Sequence, residues 1–281
     1  MLYNTFIHIQ GIGLKTENAL WNSGVRNWDD FRSSSPGFIS TAKASYINQA
    51  LEEASNHLPS RPEYFTELLP AAQHWRIFPH FRDTNAYIDI ETTGLSDSCE
   101  ITTIALYDGN QIKYYVQGEN LDSFPADIMN YEVLVSYNGK TFDVPVINRY
   151  FNIQLTQAHI DLRYILHNLG IKGGLKGCEK QLGMDRGELD GVDGYMAVLL
   201  WGYYQRSGCR SALETLLAYN IMDTINLERL MIEAYNRNLS RTPFPDKLLS
   251  EPVLPEIPFS PDRKLVAELT GKIRNSPRGY F

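Results

Sequence analysis

Residues 86–91 read Ala-Tyr-Ile-Asp-Ile-Glu, and Thr92-Thr93-Gly94 follows directly. The alternation of side chains and the β-branched isoleucines predict a strand that ends in a turn at the glycine. Residues two apart on a strand share a face, so Asp89 and Glu91 point together while the isoleucines point the other way. The acidic pair either faces solvent, as most charges do, or binds a cation that offsets the repulsion between two buried carboxylates. Carboxylate oxygens are ligands that Mg²⁺ and Mn²⁺ prefer.

Three more strands and a helical region follow this segment. Residues 101–107 and 111–117 alternate in the same way and are joined by Asp108-Gly109-Asn110, a strong signal for a β-hairpin. Residues 131–137 form a further apolar run, and helical spacing of apolar residues dominates from about 143 to 238. Hairpinned strands, then a helix, a parallel strand and further helices predict an α/β fold, a mixed sheet flanked by helices.

The flanking segments differ in composition from the central part, which we assign to residues 84–238. Residues 1–60 are predicted to be a small helical region, and residues 61–83 are interpreted as a connector. Residues 239–281 are rich in proline and are predicted to form an extended strap or arm that ends in a short helix near 262–273.

Two further acidic positions follow in the sequence. Asp143 stands where the Asn138-Gly139 turn gives way to a helix, and it either caps that helix or binds a metal. Tyr219 and Asp223 are four apart within a predicted helix and therefore share a face. Taken alone, this pair favours a surface aspartate beside a core tyrosine.

Together these segments resemble the three motifs of the DEDD superfamily of exonucleases. Residues 89–95 resemble the first motif, and residues 137–149 resemble the second motif of the proofreading domains of B-family DNA polymerases. Tyr219-x-x-x-Asp223 resembles the third motif in its tyrosine-bearing, DEDDy form. Stand-alone bacterial YprB-like exonuclease domains share these motifs and further segments, at 159–163, 174–183 and 200–201. The resemblance covers about 84–235 and implies a ribonuclease-H-like fold with 3′–5′ exonuclease activity.

The resemblance implies a site with two divalent ions, Mg²⁺ or Mn²⁺, that clamp the scissile phosphate. Asp89 would contact both ions, and Glu91 and Asp223 would bind the ion that activates water. Asp143 would hold the second ion through a water molecule. Tyr219 would orient the attacking water rather than remove its proton, because an ordinary tyrosine titrates near pH ~10. The products would be nucleoside 5′-monophosphates.

The resemblance also implies contacts with the 3′ end of a single strand of nucleic acid. Thr92 and Leu95 would lie against the terminal nucleotide, with Leu95 wedged on its base. Asn138 and Phe142 would contact the penultimate nucleotide, although Phe142 is equally well interpreted as a core residue. Three lysines nearby are predicted to form a solvated helix face rather than a phosphate-binding surface. They are Lys172, Lys176 and Lys180.

The amino-terminal segment resembles a helix–hairpin–helix motif, with Gly11-Ile12-Gly13 at the turn and Lys15 after it. The pattern predicts a short apolar helix before Gly11 and a second helix that stops at Gly24. In such motifs the glycines let backbone N–H groups at a helix start approach a phosphate closely. Two interpretations stay open: nucleic-acid docking through Gly11, Gly13 and Lys15, or a purely structural hairpin.

The bulk composition limits the other functions. The 281 residues carry a net charge of -7, which argues mildly against a passive nucleic-acid binder, although divalent ions in an acidic cluster would offset part of that charge. The three cysteines are far apart and without a C-x-x-C pair. We therefore expect neither a disulfide framework nor a zinc site, and we assign the protein to a reducing cytoplasm. Neither a secretory signal nor a membrane span is predicted.

Three alternatives to a nuclease stay open on the sequence alone. The first is a degenerate nuclease fold that binds nucleic acid without cutting it, and the presence of all four carboxylates and the tyrosine argues against it. The second is a metal-dependent phosphohydrolase that acts on free nucleotides. The third is a helical adaptor with the acids on its surface, which predicts no stabilisation by divalent ions.

Overall fold

The structure is a computed structural model and describes residues 1–96, 98–189 and 191–275. The central strands are β1 (Asn85–Thr92), β2 (Ile101–Tyr107), β3 (Ile112–Val116), β4 (Val133–Ser136) and β5 (Ala158–Asp161). They form one sheet in the order β3-β2-β1-β4-β5. β2 is antiparallel to both β1 and β3, whereas β4 runs parallel to β1 and β5 parallel to β4. The predicted α/β fold with a mixed sheet is confirmed.

Strand β5 lies inside the range 143–238, in which the sequence predicts that helices dominate; they do, but this strand was not predicted. Its sequence, Ala-His-Ile-Asp, alternates between apolar and polar residues, but four residues are the shortest run that such a pattern can indicate. The backbone of the strand pairs with β4, from Val133↔Ala158 to Ser136↔Asp161. Pairing with a neighbour thus supports a strand whose local pattern is short.

Strand β1 has a hydrophobic core on each of its faces. Its two isoleucines pack with residues of helix α6 (Asp143–Phe151), while Tyr87 belongs to a second cluster on the opposite face. That second face is covered by α10 (Arg210–Leu239), a 30-residue helix that is buried along most of its length. Because side chains alternate along a strand, Asp89 and Glu91 emerge on the α10 face.

Four further helices complete the central part of the molecule. They are α5 (Phe124–Ile128), α7 (Leu162–Asn168), α8 (Gly174–Gln181) and α9 (Gly194–Ser207). Helix α9 packs against α10 and also contacts β1. The loop between α8 and α9 contains a 3₁₀ turn at Gly187–Leu189. The helices predicted on the faces of the sheet are therefore present.

The amino-terminal region is helical, but not where the sequence first predicts. Its helices are α1 (Leu14–Asn22), α2 (Trp28–Ser33), α3 (Thr41–His57) and α4 (Pro62–Leu68). The apolar helix predicted before Gly11 is wrong, because Leu2–Asn4 form a 3₁₀ turn and the residues up to Gly11 run mainly through further turns. Backbone groups there bond to distant side chains: the indole of Trp21 donates to the Asn4 carbonyl at 2.9 Å. Tertiary contacts thus override the local helical pattern.

Glu17 and Arg76 form a buried ion pair between α1 and the segment that precedes the sheet. Arg76 Nη2 lies 2.8 Å from Glu17 Oε2. Glu17 also accepts from the backbone N–H of Phe6 at 2.7 Å, and the guanidinium lies over the ring of Trp75. One hydrophobic cluster extends from Leu2 to residues of the sheet, so the amino-terminal region and the sheet share a core.

The carboxyl-terminal part crosses the molecule as an extended strap. Between α10 and the last helix, α11 (Arg263–Asn275), the described residues form one regular element, a 3₁₀ turn at Pro245–Lys247. Leu254 and Ile257 of the strap pack against the central core, and Leu265 of α11 packs into the cluster formed with α9 and α10. The helix predicted near 262–273 is confirmed. Within the described part of the chain, no helix combines the length and apolar character needed to cross a membrane.

Candidate active site

Three carboxylates converge where β1 and α10 cross. Asp89, Glu91 and Asp223 each contribute an oxygen, and these oxygens lie within 4.8 Å of one another. The first two share a face of β1, and α10 packs across that strand. Two elements more than a hundred residues apart in sequence therefore supply one acidic cluster. We call these three residues the acidic cluster.

Asn220 holds the carboxylate of Asp89. Its Nδ2 donates to Asp89 Oδ2 at 2.7 Å and to the Asp89 backbone carbonyl at 3.1 Å. Its Oδ1 accepts from the Thr103 hydroxyl at 3.0 Å. Asn220 and Thr103 are fully buried, so the amide is fixed at both ends inside the protein.

Asp143 approaches β1 from the opposite side. It is the first residue of α6, and its Oδ1 accepts from the backbone N–H of Ile90 at 3.3 Å. The contact lies beyond the paired part of β1 and β4, which ends at Tyr87↔Val135. Phe142, rather than Asp143, occupies the N-cap position, and no side-chain cap is formed. Helix capping therefore does not explain this aspartate, and its carboxylate adjoins the acidic cluster without being one of its three members.

Burial raises the pKa values of Asp89, Glu91 and Asp143. Burial, followed by the charges of Asp223 and Glu91, raises the pKa of Asp89 well above its usual range. Burial and then the charge of Asp223 do the same for the pKa of Glu91. Burial raises the pKa of Asp143 to about 7, against the opposing effect of the Ile90 hydrogen bond. The ionised cluster is therefore unfavourable without a further positive charge.

The donor set fits a hard divalent cation. All the converging groups are carboxylate oxygens, the ligands that Mg²⁺ and Mn²⁺ prefer. The raised pKa values of Asp89 and Glu91 indicate negative charge that the surrounding residues only partly neutralise. A bound divalent ion would supply the missing charge.

Tyr219 lies one helical turn before Asp223 and faces the same acids. Burial, and then the charges of Asp223 and Glu91, raise the pKa of Tyr219, so the phenol is protonated at neutral pH. The ammonium of Lys176 lies 4.5 Å from the centre of the tyrosine ring and donates to the Val192 carbonyl. The predicted solvated position of Lys176 is wrong, because helix α8 turns this lysine toward the acids. The other two lysines follow the prediction: Lys172, just before α8, and Lys180, on α8, are exposed.

Arg186 is a second cation at the acidic cluster and was not predicted from the sequence. Its guanidinium donates to Glu179 Oε2 at 2.6 Å through Nη1 and to Asp223 Oδ1 through Nη2. The arginine side chain is 7% exposed. Nothing in the local pattern marks it, because it lies in a loop and meets its partners only through the packing of α8 and α10.

A cavity of about 580 Å³ opens beside Glu91. Its lining includes Thr92 and Leu95 from the end of β1, Phe142 from the start of α6, and Tyr195 from α9. Leu95 is 89% exposed, so its side chain is available to a ligand. Phe142 lines the cavity and also packs on the hydrophobic cluster beneath it, which combines its two predicted roles. Three of the four predicted nucleotide contacts are thus brought together.

Asn138 is the fourth predicted nucleotide contact and does not line that cavity. It adopts a left-handed backbone with φ 67°. Its backbone N–H donates to Asp161 Oδ1 at 2.8 Å, and its side-chain oxygen accepts from Arg163 and from the Thr141 hydroxyl. These bonds fix the turn between β4 and α6, so the observed role of Asn138 is structural.

The Gly11-Ile12-Gly13 turn lies in the amino-terminal region. Gly11 has φ 81°, Gly13 is the N-cap of α1, and Lys15 is exposed. Lys43 of α3 donates to the Gly11 carbonyl at 3.2 Å, which fixes the turn against its neighbour. Helix α1 ends at Asn22, close to the predicted stop. The turn is thus formed, and docking of nucleic acid on Gly11, Gly13 and Lys15 stays a prediction.

A mixed sheet with an acidic cluster on its central strand defines an α/β protein with a candidate site for divalent ions. The family model RNase_H_2, of the RNase_H superfamily, matches residues 86–235, more than half of the chain. The protein therefore belongs to the RNase_H superfamily. This membership and the acidic cluster together indicate a nuclease.

The comparison with solved structures finds a polymerase. The chain is similar to the family B DNA polymerase from the hyperthermophilic archaeon Pyrobaculum calidifontis, with 18% sequence identity and a TM-score of 0.43. The match covers 55% of this chain and 26% of the polymerase, so the chain spans about a quarter of that protein. None of the curated proteins compared with the chain matches it.

Proposed function

We propose that the protein is a metal-dependent 3′–5′ exonuclease that releases nucleoside 5′-monophosphates from the 3′ end of single-stranded nucleic acid. The observation that carries the proposal is the convergence of Asp89, Glu91 and Asp223 within 4.8 Å, beside a cavity of about 580 Å³. The family match supports a nuclease. The position of Tyr219 one turn before Asp223 supports the DEDDy type.

The acidic cluster would hold Mg²⁺ or Mn²⁺, and Asp143 would complete a two-ion site. Bound ions of this kind would make hydroxide available near neutral pH and stabilise the negative charge on the departing 3′ oxygen. Asn220 would keep the Asp89 carboxylate in one orientation, because both of its amide atoms are already bonded inside the protein. The protein would therefore contribute carboxylate oxygens in fixed positions to the reaction, rather than a strong base.

Tyr219 would orient the water that attacks the phosphate. Burial and the nearby acids raise its pKa, so it keeps its proton and acts through a hydrogen bond. Lys176, whose ammonium lies over the tyrosine ring, would offer a positive charge to a phosphate oxygen. These two residues would therefore position the substrate and the water relative to the carboxylates.

The cavity beside Glu91 would receive the terminal nucleotide. Its volume of about 580 Å³ is within the range of small-molecule sites. Leu95 and Phe142 would contact the base, which any nucleotide can present to an apolar side chain. Thr92 lines this cavity together with Glu91, and its hydroxyl donates to the Gly94 carbonyl at 2.6 Å, which fixes the turn.

The test uses the full chain, Mn²⁺ and single strands of DNA and RNA labelled at the 5′ end. The expected result is a ladder of progressively shorter labelled strands and release of 5′-monophosphates. Asp89→Asn should abolish the ladder, because the oxygen that it replaces belongs to the acidic cluster. Asp83→Asn is the matched control. This substitution removes the same charge, but at an exposed position just before β1.

Other outcomes would identify the alternative functions. Cleavage of free nucleotides without any shortening of strands would indicate a small-molecule phosphohydrolase. Binding of the strand without cleavage, with Mn²⁺ present, would indicate a nucleic-acid-binding module. Full activity in Asp89→Asn would contradict the proposed site.

A further inference from the structure

The Arg186–Asp223 ion pair places a positive charge on one of the proposed metal ligands. Arg186 Nη2 donates to Asp223 Oδ1, and Asp223 is one of the three acids whose oxygens converge. We propose that Arg186 is a resident counter-ion of the acidic cluster, which a divalent ion displaces from Asp223 when it binds. This inference rests on the metal site of the proposed function.

Charge and burial explain why the metal-free protein needs this arginine. Asp223 and Arg186 are both almost fully buried, with exposed side-chain fractions of 5% and 7%. An ionised carboxylate left unpaired in such a place is strongly destabilising, whereas a guanidinium in contact with it restores neutrality. The same contact opposes metal binding, because the guanidinium occupies a ligand oxygen and repels a second cation.

Glu179 provides the position to which the arginine can withdraw. It accepts from Arg186 Nη1 at 2.6 Å and is 1% exposed. Its other oxygen accepts from Asn226 Nδ2 at 2.8 Å, so the carboxylate is fixed from the α10 side. An arginine that loses Asp223 therefore keeps one buried anionic partner. Arg186 thus bridges two carboxylates with different roles. Asp223 belongs to the acidic cluster, and Glu179 does not.

The loop that carries Arg186 has space beside it. A cavity of about 350 Å³ is lined by Arg186, by Leu189 of the same loop, and by Met222 and Phe259 from α10 and the strap. In addition, Arg186 Nε is buried without a hydrogen-bond partner. The guanidinium is thus incompletely bonded where it stands, and adjacent empty volume allows it to shift.

Mn²⁺ affinity of the full chain, measured by calorimetric titration without nucleic acid, tests the proposal. Arg186→Gln should bind Mn²⁺ about tenfold more tightly, because the substitution removes the cation that competes for Asp223 and repels the metal ion. Glu179→Gln should bind it more weakly, because the arginine then has Asp223 as its only anionic partner. Arg229→Gln is the matched control, since Arg229 lies on α10 but pairs with the exposed Glu251, and its affinity should be unchanged.

Hydrogen exchange gives an independent readout on the unaltered protein. Addition of Mn²⁺ should speed exchange in residues 183–189 while slowing it in β1, because the loop loses its contact with Asp223. Arg186→Lys keeps the charge and should retain an affinity close to that of the unaltered protein. If Arg186→Gln fails to fold, the Mn²⁺ affinity of Glu179→Gln and the exchange measurement still test the counter-ion role of Arg186.

The outcomes separate this inference from the proposed function. If the unaltered protein binds Mn²⁺ and Arg186→Gln binds it no more tightly, the counter-ion role is wrong and the metal site stands. Unchanged or slower exchange of residues 183–189 on metal binding would also overturn it. If the unaltered protein binds no Mn²⁺, both this inference and the proposed metal site are wrong.

Discussion

Asn220 bonds to Asp89 through two contacts, from Nδ2 to the carboxylate at 2.7 Å and from Nδ2 to the backbone carbonyl at 3.1 Å. The amide therefore ties a residue of α10 to both the side chain and the backbone of the central strand. Tyr219 and Asp223 lie on the same helix as Asn220. This contact therefore also fixes where these two residues lie along β1.

Replacing Asn220 by alanine should weaken metal binding. The Asp89 carboxylate would lose the donor that orients it, and loss of such supporting groups lowers metal affinity by about ten- to a hundredfold. The measurement is Mn²⁺ affinity by titration, together with the exonuclease rate at saturating Mn²⁺. Asn236→Ala on the same helix is the control, because the Asn236 side chain bonds to the backbone of Leu249 in the strap and not to the acidic cluster. Wild-type affinity in Asn220→Ala would contradict the positioning role.

The contribution of Asp143 to the free energy of unfolding of the metal-free protein should fall as the pH rises from about 4 to about 7, whereas three buried histidines with lowered pKa values, His8, His74 and His159, act in the opposite direction. Burial raises the pKa of Asp143 from 3.8 to about 7, so the folded protein keeps a proton that the unfolded chain has already released in this window. Folding is then linked to proton uptake, and its free energy becomes less favourable with increasing pH. Urea denaturation in EDTA at several pH values measures how the free energy of unfolding changes with pH.

Divalent ions and one substitution provide the controls for this pH dependence. Mn²⁺ at pH 8 should restore stability, because ions that bind only the folded state stabilise it. Asp143→Asn should gain stability relative to the unaltered protein as the pH rises through this window, since the side chain no longer titrates. A difference in unfolding free energy between the two proteins that stays constant from pH 4 to 7 in EDTA would rule out the raised pKa of Asp143.

Tyr219→Phe should reduce the exonuclease rate without changing Mn²⁺ affinity. The substitution removes the hydroxyl that would orient water but keeps the ring on which Lys176 lies. The expected loss is about a hundredfold, the lower end of what a positioned proton donor or acceptor contributes. Single-turnover rates at saturating Mn²⁺ measure it. Tyr203→Phe on α9 is the matched control, and an unchanged rate in Tyr219→Phe would remove this residue from the mechanism.

Leu95→Ala should raise KM for a single-stranded oligonucleotide and leave folding unaffected. The side chain is 89% exposed, so its loss should change the free energy of unfolding by no more than about 0.5 kcal/mol. Val253→Ala is the control, because Val253 is 95% exposed on the strap and is not among the residues that line the cavity. Steady-state kinetics measure KM, and thermal unfolding measures stability, for both variants. A large loss of stability in Leu95→Ala would mean that the residue supports the fold instead.

Arg76→Met should destabilise the protein by about 3–5 kcal/mol, because it leaves the buried Glu17 carboxylate without its partner. Arg237→Gln is the control, since its pair with Glu233 is exposed and spans one helical turn. Urea denaturation measures both, and the exonuclease rate of the folded Arg76→Met protein should be unchanged. A loss of less than about 1 kcal/mol would show that the ion pair is not required for the shared core.

The sequence specifies the parts of the site that depend on local periodicity. Alternation along β1 puts Asp89 and Glu91 on one face, and the helical turn from Tyr219 to Asp223 puts these two on another. Family resemblance supplies the order in which the segments meet. Geometry then brings three of the four predicted carboxylates within 4.8 Å and places Asp143 against the backbone of the same strand.

The remaining features depend on packing that no local pattern carries. Arg186 reaches Asp223 from a loop, and Lys176 is turned inward by the position of α8, so neither is distinguishable in sequence from a surface cation. The amino-terminal segment shows the reverse: its apolar pattern predicts a helix, but the Trp21 indole and the Glu17 carboxylate bond its backbone groups instead. Strand β5 is a run of four residues paired with β4, and its alternation is too short to stand out in the sequence.

Along β1, the acids face α10 while the isoleucines pack against α6. One face of the strand therefore carries the candidate active site and the other face forms the core. The buried acids lower the stability of the fold, as residues of active sites often do. A protein altered at Asp89 to asparagine should consequently fold more robustly than its parent when metal is withheld. Such an inert form would be suited to capturing a bound oligonucleotide intact for crystallography.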